Sequence, residues 1–378
     1  MFEIVQNRRV LYGPGSSAEI GGILKDMDAG RLFILAYNKG AAMVENIQKF
    51  ASQAGVDTLV SDIVQDEPEL LEIDQVALMI KEHKSEAVLA VGGGSVMDAA
   101  KAAAMIASNG GTAEEYQMQN REITKPSVPV IMLPTTAGTG SEANKTSVIR
   151  NESSKLKKSI YSPYMVAETV ILDPEATLEL PSNVTAFTGI DALSHAVESY
   201  ASLNANPYTQ MYGLKAVELI GKSLVTAVRD GKNIQARADM LYASYFAGCS
   251  LNAGIGLAHI IAQPIGGLFN IPHGEACSIF LPYAIEYNAE ISAKEYRDIG
   301  KALGIQSGEG TLEKIREIIG EVKTATDIKP YVHKMGVQFN DTVLDETVQT
   351  VMQATGHIKC NPRVVDEAII RQVIARVI

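Results

Sequence analysis

The sequence predicts an α/β half built on a parallel sheet, followed by an all-helical half. Three observations carry that reading. Over residues 1–180, short β-branched runs alternate with helical stretches, the pattern of parallel βα units. After residue 180, strand-like runs become rare and long apolar-periodic segments take over, at 183–203, 207–229, 233–253 and 275–304. Between the halves, LDPEATLELPSN (172–183) carries two prolines and reads as a hinge. The expected division is therefore 1–180 and 181–378.

The elements follow in order. RLFILAY (31–37) is a continuous apolar run, as expected of a strand buried on both faces. Residues 40–54 read as a helix, DTLVSDIV (57–64) as a second strand and 70–84 as a second helix. EAVLAVGGG (86–94) is a strand running into a glycine turn, and the alanine-rich SVMDAAKAAAMIAS (95–108) is a helix. VPVIMLPTT (128–136) is the next strand, and ETVILDP (168–174) closes the half. The remainder reads as eight or nine helices, with surface helices over 309–378 broken at Pro330 and Pro362. The N-terminal FEIVQ reads as a strand able to pair across a two-fold axis in a homodimer or higher homo-oligomer.

Composition narrows the function. The 378 residues are 46% hydrophobic and 20% charged, as in ordinary globular proteins. A net charge of −11 argues against a nucleic-acid surface. No apolar run reaches the ~20 residues of a membrane span. MFEIVQNRRV lacks the pattern of a secretory signal. The three cysteines, Cys249, Cys277 and Cys360, contain no CxxC pair. They point to a reducing compartment, the cytoplasm, and away from a thiolate zinc site.

Two loops are candidate cofactor cradles. Gly92-Gly93-Gly94-Ser95 follows a strand and opens a helix, where free N–H groups favour a pyrophosphate. The spacing is not G-x-G-x-x-G, and a plain strand-to-helix turn fits it too. Thr135-Thr136-Ala137-Gly138-Thr139-Gly140-Ser141-Glu142 follows the next strand, rich in hydroxyls and glycine. It also fits a loop with capping hydroxyls. Ligands of open α/β sheets bind at this edge.

The helical half holds a candidate metal set. Asp191 and His195 are four apart in TGIDALSHAVESY and share a helix face. Taken alone, they also fit a surface ion pair. His259 lies in the apolar GIGLAHIIAQPIGG, where a buried histidine is more often a satisfied core residue. His273 lies in NIPHGEA, held between proline and glycine. Three imidazoles and a carboxylate suit Fe(II), Zn(II), Mn(II) or Co(II). Spacing does not show that the four converge.

Together these motifs resemble the iron-containing (group III) alcohol dehydrogenases over essentially the full length. The resemblance rests on GGGSVMDAAK, LPTTAGTGSEA, VILDPE, TGIDALSHAVESY, GLAHIIAQPIGGLFNIPHGEA and FLPYAIEYN, with CNPR near the end. It implies a dinucleotide-binding α/β domain, an all-helical metal domain and a site in the cleft between them. It implies metal ligation by Asp191, His195, His259 and His273. It implies cofactor contacts by Asn38, Gly93, Gly94, Ser95, Asp98, Thr135, Thr136, Thr139, Val148, Lys157 and Leu178. The expected cofactors are NAD, or NADP, and one divalent metal, Fe(II) or else Zn(II). The expected reaction is hydride transfer between NAD(H) and a small alcohol or aldehyde, with the metal polarising the substrate oxygen.

Three departures from that family stand out. Gln263 stands where many members carry histidine, and glutamine does not titrate. Asn38 stands where NAD-preferring members tend to carry aspartate, which repels a 2′-phosphate. Asn144, Thr146, Cys249 and Ser250, with Gln263, imply an unusually polar substrate pocket, with Lys145 and His357 nearby. That pocket points to a small polar aldehyde bearing a sulfonate or carboxylate, such as sulfoacetaldehyde or lactaldehyde. Two alternatives stay open. One is a metal- and NAD-dependent lyase on the same dehydroquinate synthase-like architecture. The other is a catalytically silent metal- or nucleotide-binding protein.

Overall fold

The computed structural model describes residues 3–151, 156–353 and 359–378; His357 lies outside them. The chain forms two compact units, one of residues 1–136 and 140–179, the other of 137–139 and 180–378.

In the first unit the order is β1 (Arg9–Tyr12), α1 (Ile20–Asp26), β2 (Arg31–Ala36), α2 (Ala42–Gln53), β3 (Asp57–Ser61), α3 (Leu70–Glu82), β4 (Ala87–Gly92), α4 (Gly94–Asn109), α5 (Ala113–Met118), β5 (Val130–Pro134), β6 (Thr146–Asn151), β7 (Leu156–Tyr161) and β8 (Thr169–Leu172). Six strands make one parallel sheet in the order β1-β8-β5-β4-β2-β3. β4 and β5 are buried along their whole lengths, which explains their unbroken apolar sequences. The chain runs from β2 out to β3, then returns to the other side of β2 with β4. The order therefore reverses between β2 and β4, where open α/β sheets offer a crevice at their carboxyl ends.

Two features differ from the sequence reading. The first strand is Arg9–Tyr12, not FEIVQ; the described residues of FEIVQ form no strand. β1 pairs in parallel with β8 of its own chain. The second is the antiparallel β6–β7 pair. Its strands mix Ser147, Arg150, Asn151 and two lysines among the apolar residues, so it lacks a strong strand signature.

Side chains of α4 pin this pair in place. Val148 N donates to Asp98 Oδ2 at 2.8 Å, and Ser147 Oγ donates to the Asp98 carbonyl at 2.8 Å. Ser141 Oγ also donates to Asp98. Lys101 has no exposed surface. Its ammonium donates to the carbonyls of Ser141 and Thr146 and to Asn144 Oδ1, and lies 3.1 Å from Asp98 Oδ1. Such burial is tolerable only because each hydrogen finds an acceptor.

The second unit has ten α-helices among the described residues: α6 (Ser182–Ala201), α7 (Pro207–Arg229), α8 (Ile234–Ser250), α9 (Leu257–Phe269), α10 (His273–Asn288), α11 (Ala293–Ala302), α12 (Thr311–Val322), α13 (Lys329–Lys334), α14 (Asp341–Gln353) and α15 (Glu367–Ala375). The single run 275–304 is split between α10 and α11. Pro330 opens α13 instead of breaking a helix, because the first turn needs no proline N–H. α6 packs against α7, α8 and α10 and is buried nearly all round. Among the described residues, no single helix is long and apolar enough to cross a membrane.

Glu142 gives the first unit a pH signature. Its side chain is buried, and its Oε1 makes no hydrogen bond. Burial lifts the carboxyl from near 4.5 to about 7, against the pull of Lys101. The folded chain therefore keeps a proton that the unfolded chain releases. Stability is full below the unfolded value and falls as pH rises through the folded one. Glu142→Gln removes that fall. Between about pH 5 and pH 8, the variant should gain on the parent by up to about 3 kcal/mol. Thermal unfolding at both pH values checks this; a pH-independent difference would contradict it.

Candidate functional site

Asp191 and His195 lie one turn apart on α6, and Glu198 follows on the same face. All three are buried. His259 sits in the first turn of α9, and His273 opens α10. The structure brings the four candidate ligands to one point. The Nε2 atoms of His259 and His273 each lie 3.5 Å from Asp191 Oδ1, and that of His195 lies 3.8 Å from it. Donor atoms about 2.1 Å from a shared tetrahedral ion stand about 3.4 Å apart. The spacing therefore fits a metal better than direct hydrogen bonding.

Two further observations agree. His259 Nε2 is buried and makes no hydrogen bond, a costly state for a ring nitrogen unless a cation takes its lone pair. The rings of His195 and His259 stack with centroids 4.5 Å apart. Two imidazolium ions would repel at that distance. Burial opposes ionisation of Asp191, but His195, His273 and His259 outweigh it and hold the carboxyl well below the usual range. Burial lowers His195, with Asp191 pulling the other way. Burial also works against protonation of His259, yet Cys277, Asp191 and Glu198 outweigh it and raise the ring. The field at this point favours positive charge.

Glu198 sets the direction of His259. Its Oε2 lies 2.5 Å from His259 Nδ1, and its Oε1 accepts from Ala258 N at 2.6 Å. A donor Nδ1–H leaves the Nε2 lone pair facing Asp191. The neighbouring N–H, of Leu257, donates to Asn361 Oδ1 at 3.1 Å, which gives the CNPR motif its part. The start of α9 is thus capped by two distant side chains. Gly274 brings α10 close to α6. A Cβ there would meet the Phe187 carbonyl oxygen at 2.0 Å, so only glycine lets His273 approach Asp191.

Sequence reasoning missed Glu198 and Cys277. Glu198 lies seven residues after Asp191, two turns along the same face. Cys277 lies four after His273, with Sγ 3.6 Å from Asp191 Oδ1 and 3.7 Å from His273 Nε2. Burial pushes this thiol up to about 12. The absence of a CxxC pair points away from a thiolate zinc site, and the helical spacing of Cys277 after His273 is the signal that places a thiol here.

The candidate cofactor residues fall into two groups. Asn38 follows β2, Gly93 to Ser95 follow β4, and Thr135 and Thr136 follow β5, on adjacent strands at their carboxyl ends. Gly93 is the N-cap of α4; a Cβ there would crowd the Thr136 side chain at 3.2 Å. Asn38 Oδ1 accepts from Gly40 N at 3.0 Å. The others are engaged within the fold. Both Asp98 carboxylate oxygens accept from protein donors, Val148 N is bound to Asp98, and Lys157 pairs with Glu67. Leu178 is half-buried after a short turn, and Thr139 belongs with the second unit.

The proposed substrate residues come from both units. Asn144 and Thr146 belong to the first unit, Ser250 and Gln263 to the second. Asn144 binds Gly140 O, Thr146 N and Lys101. Ser250 has no exposed surface and donates to the Ala247 carbonyl at 2.7 Å. Cys249 is also buried. Gln263 is half-buried on α9, one turn after His259.

Sequence models of the iron-containing alcohol dehydrogenases match residues 7–174, and of their C-terminal region residues 185–378. The chain belongs to the iron-containing alcohol dehydrogenase family. It is an oxidoreductase of the alcohol dehydrogenase and aldehyde reductase class. An NAD-dependent methanol dehydrogenase of Bacillus methanolicus is 34% identical over 78% of each chain. A sulfoacetaldehyde reductase of Bilophila wadsworthia is 32% identical over 86% of this chain and 87% of its own. The solved sulfoacetaldehyde reductase of Bifidobacterium kashiwanohense in complex with NAD+ is 27% identical, with a TM-score of 0.90 over 100% of this chain and 98% of that one.

Within this dehydrogenase, Glu198→Gln keeps the size of the side chain and removes its charge. Metal affinity is expected to weaken about 10–100-fold, measured by chelator competition. An unchanged affinity would contradict the orienting role of Glu198.

Proposed function

We propose that this chain is an NAD-linked alcohol dehydrogenase or aldehyde reductase, with one divalent metal held by Asp191, His195, His259 and His273. The convergence of three imidazole nitrogens on Asp191 Oδ1 carries the reading. Iron is the expected ion, and the same set accepts zinc. When bound, the metal supplies Lewis-acid polarisation of the substrate oxygen and the nicotinamide supplies or takes the hydride.

The chain's own residues do the rest. Asp191 offsets part of the metal charge, and Glu198 keeps His259 in the ligating tautomer. The loops after β2, β4 and β5 form the cofactor cradle, with the pyrophosphate at the start of α4. Residues 1–180 would then serve as the dinucleotide-binding domain and 181–378 as the metal domain. Gln263, one turn after His259, can donate or accept a hydrogen bond but cannot relay a proton. Three cysteines, none in a disulfide, support a cytoplasmic setting. A homodimer or higher homo-oligomer is proposed as the working form.

The proposed substrate is a small polar aldehyde with an anionic group. The two sulfoacetaldehyde reductases among its relatives support this, as does the amide of Gln263. After reconstitution with Fe(II) or Zn(II), turnover of sulfoacetaldehyde or lactaldehyde should exceed that of butyraldehyde. A preference for butyraldehyde would overturn the substrate reading; no turnover of any aldehyde would overturn the enzyme reading.

NAD is proposed over NADP, and Asn38 is the residue on which that choice is proposed to turn. An amide bonds the ribose hydroxyls without repelling a 2′-phosphate. Asn38→Asp is expected to raise the NADH-to-NADPH ratio of kcat/KM by about 10-fold or more, since one charge contact is worth over 1 kcal/mol in such a site. An unchanged ratio would place cofactor choice elsewhere.

A further inference from the structure

Cys277 is not among the four ligands proposed above, yet it lies with them. Its Sγ, Asp191 Oδ1 and one ring nitrogen each of His259 and His273 lie within 4.8 Å of one another, while His195 falls outside that group. The edges of this second group have the size a metal requires. With metal–sulfur bonds near 2.3 Å and metal–oxygen or –nitrogen bonds near 2.1 Å, tetrahedral Sγ···O and Sγ···N edges are about 3.6 Å. Those to Asp191 Oδ1 and His273 Nε2 are 3.6 and 3.7 Å. Independently, His259 Nε2 is buried, aimed at this group and without a hydrogen bond. Cys277 has no exposed surface and forms no disulfide, so neither surface chemistry nor a crosslink accounts for its placement.

We propose that Cys277 is a metal ligand, closing an Asp191–His259–His273–Cys277 set for thiophilic ions on the same three residues that His195 completes for iron. The inference rests on the reading that Asp191, His259 and His273 hold a metal. The two closures differ in softness. An added imidazole keeps a borderline N/O site suited to Fe(II), whereas a thiolate favours Zn(II), Co(II) and Cd(II). As the metal–sulfur bond forms, the Sγ–H proton leaves to solvent. His273 and Cys277, one turn apart on α10, then bind as a pair, held against α6 by the Gly274 contact.

Cobalt is the probe. The full-length protein, stripped of metal and loaded with Co(II), should show visible d–d bands and a near-ultraviolet thiolate-to-cobalt charge-transfer band. Cys277→Ser and Cys277→Ala should lose the charge-transfer band while keeping the visible bands, and Cys360→Ser should keep both. Complete loss of cobalt binding in both Cys277 variants, with a parent-like thermal transition, is a stronger form of the same result. Visible bands without a charge-transfer band in the parent would overturn the proposal, leaving a thiol that only donates to Asp191, and would leave the metal reading intact. A charge-transfer band that survives both Cys277 substitutions would overturn it as well. No cobalt bands in the parent would overturn both readings. Should neither variant fold, the parent spectrum decides, with Cys360→Ser as its control.

Discussion

The architecture of the second unit turns on burying three ionisable side chains along one face of one helix. Asp191, His195 and Glu198 all point inward from α6, among Ile190, Leu193, Ala196 and Val197. Charges taken out of water cost several kcal/mol each unless they are met. α9 and α10 meet them. α9 brings the His259 ring and the Ala258 N–H; α10 brings His273 and the Cys277 thiol. The helices that carry the candidate ligands are thus also the ones that make the burial of α6 bearable. Folding and ligand assembly are one problem with one solution.

The first unit solves a similar problem with a single cation. Lys101 is enclosed, and its acceptors come from α4, the 140s loop and β6. This ties the glycine loop after β4 to the loop after β5 through the helix that the glycine loop opens. Two neighbouring backbone edges are thereby held in fixed register beside the point, between β2 and β4, where the strand order reverses. Asp98 does this holding with both carboxylate oxygens, a structural share in the site.

How much could be read in advance followed from how each element declares itself. β2, β4 and β5 are enclosed on both faces, so they read as unbroken apolar runs. β6 is held by contacts with α4 made far away in sequence, β7 pairs with β6, and their polar residues hide the strand period. The Asp191–His195 pair was visible because four residues is a helical repeat. Glu198 and Cys277 obey the same repeat, but a glutamate reads as a surface charge and a single cysteine as a core residue. Their partners, His259 and Asp191, lie 61 and 86 residues away, and no local pattern carries that distance. Ser250 shows the converse. Its place in the expected pocket comes from the family resemblance alone, and the contact no sequence pattern announces is that of its hydroxyl with the Ala247 carbonyl of its own helix.

The contact between Gly274 and the Phe187 carbonyl has a consequence for change over time. Backbone against backbone, not side chain against side chain, sets the separation of α6 and α10 at the ligands. The bite of the donor set is therefore decoupled from the volume of the surrounding core. Isoleucines and leucines elsewhere in the bundle can be exchanged and repacked without moving His273 relative to Asp191. Such a spacer lets a lineage remodel its interior, and with it the shape presented to substrates, while the ion-holding geometry stays constant.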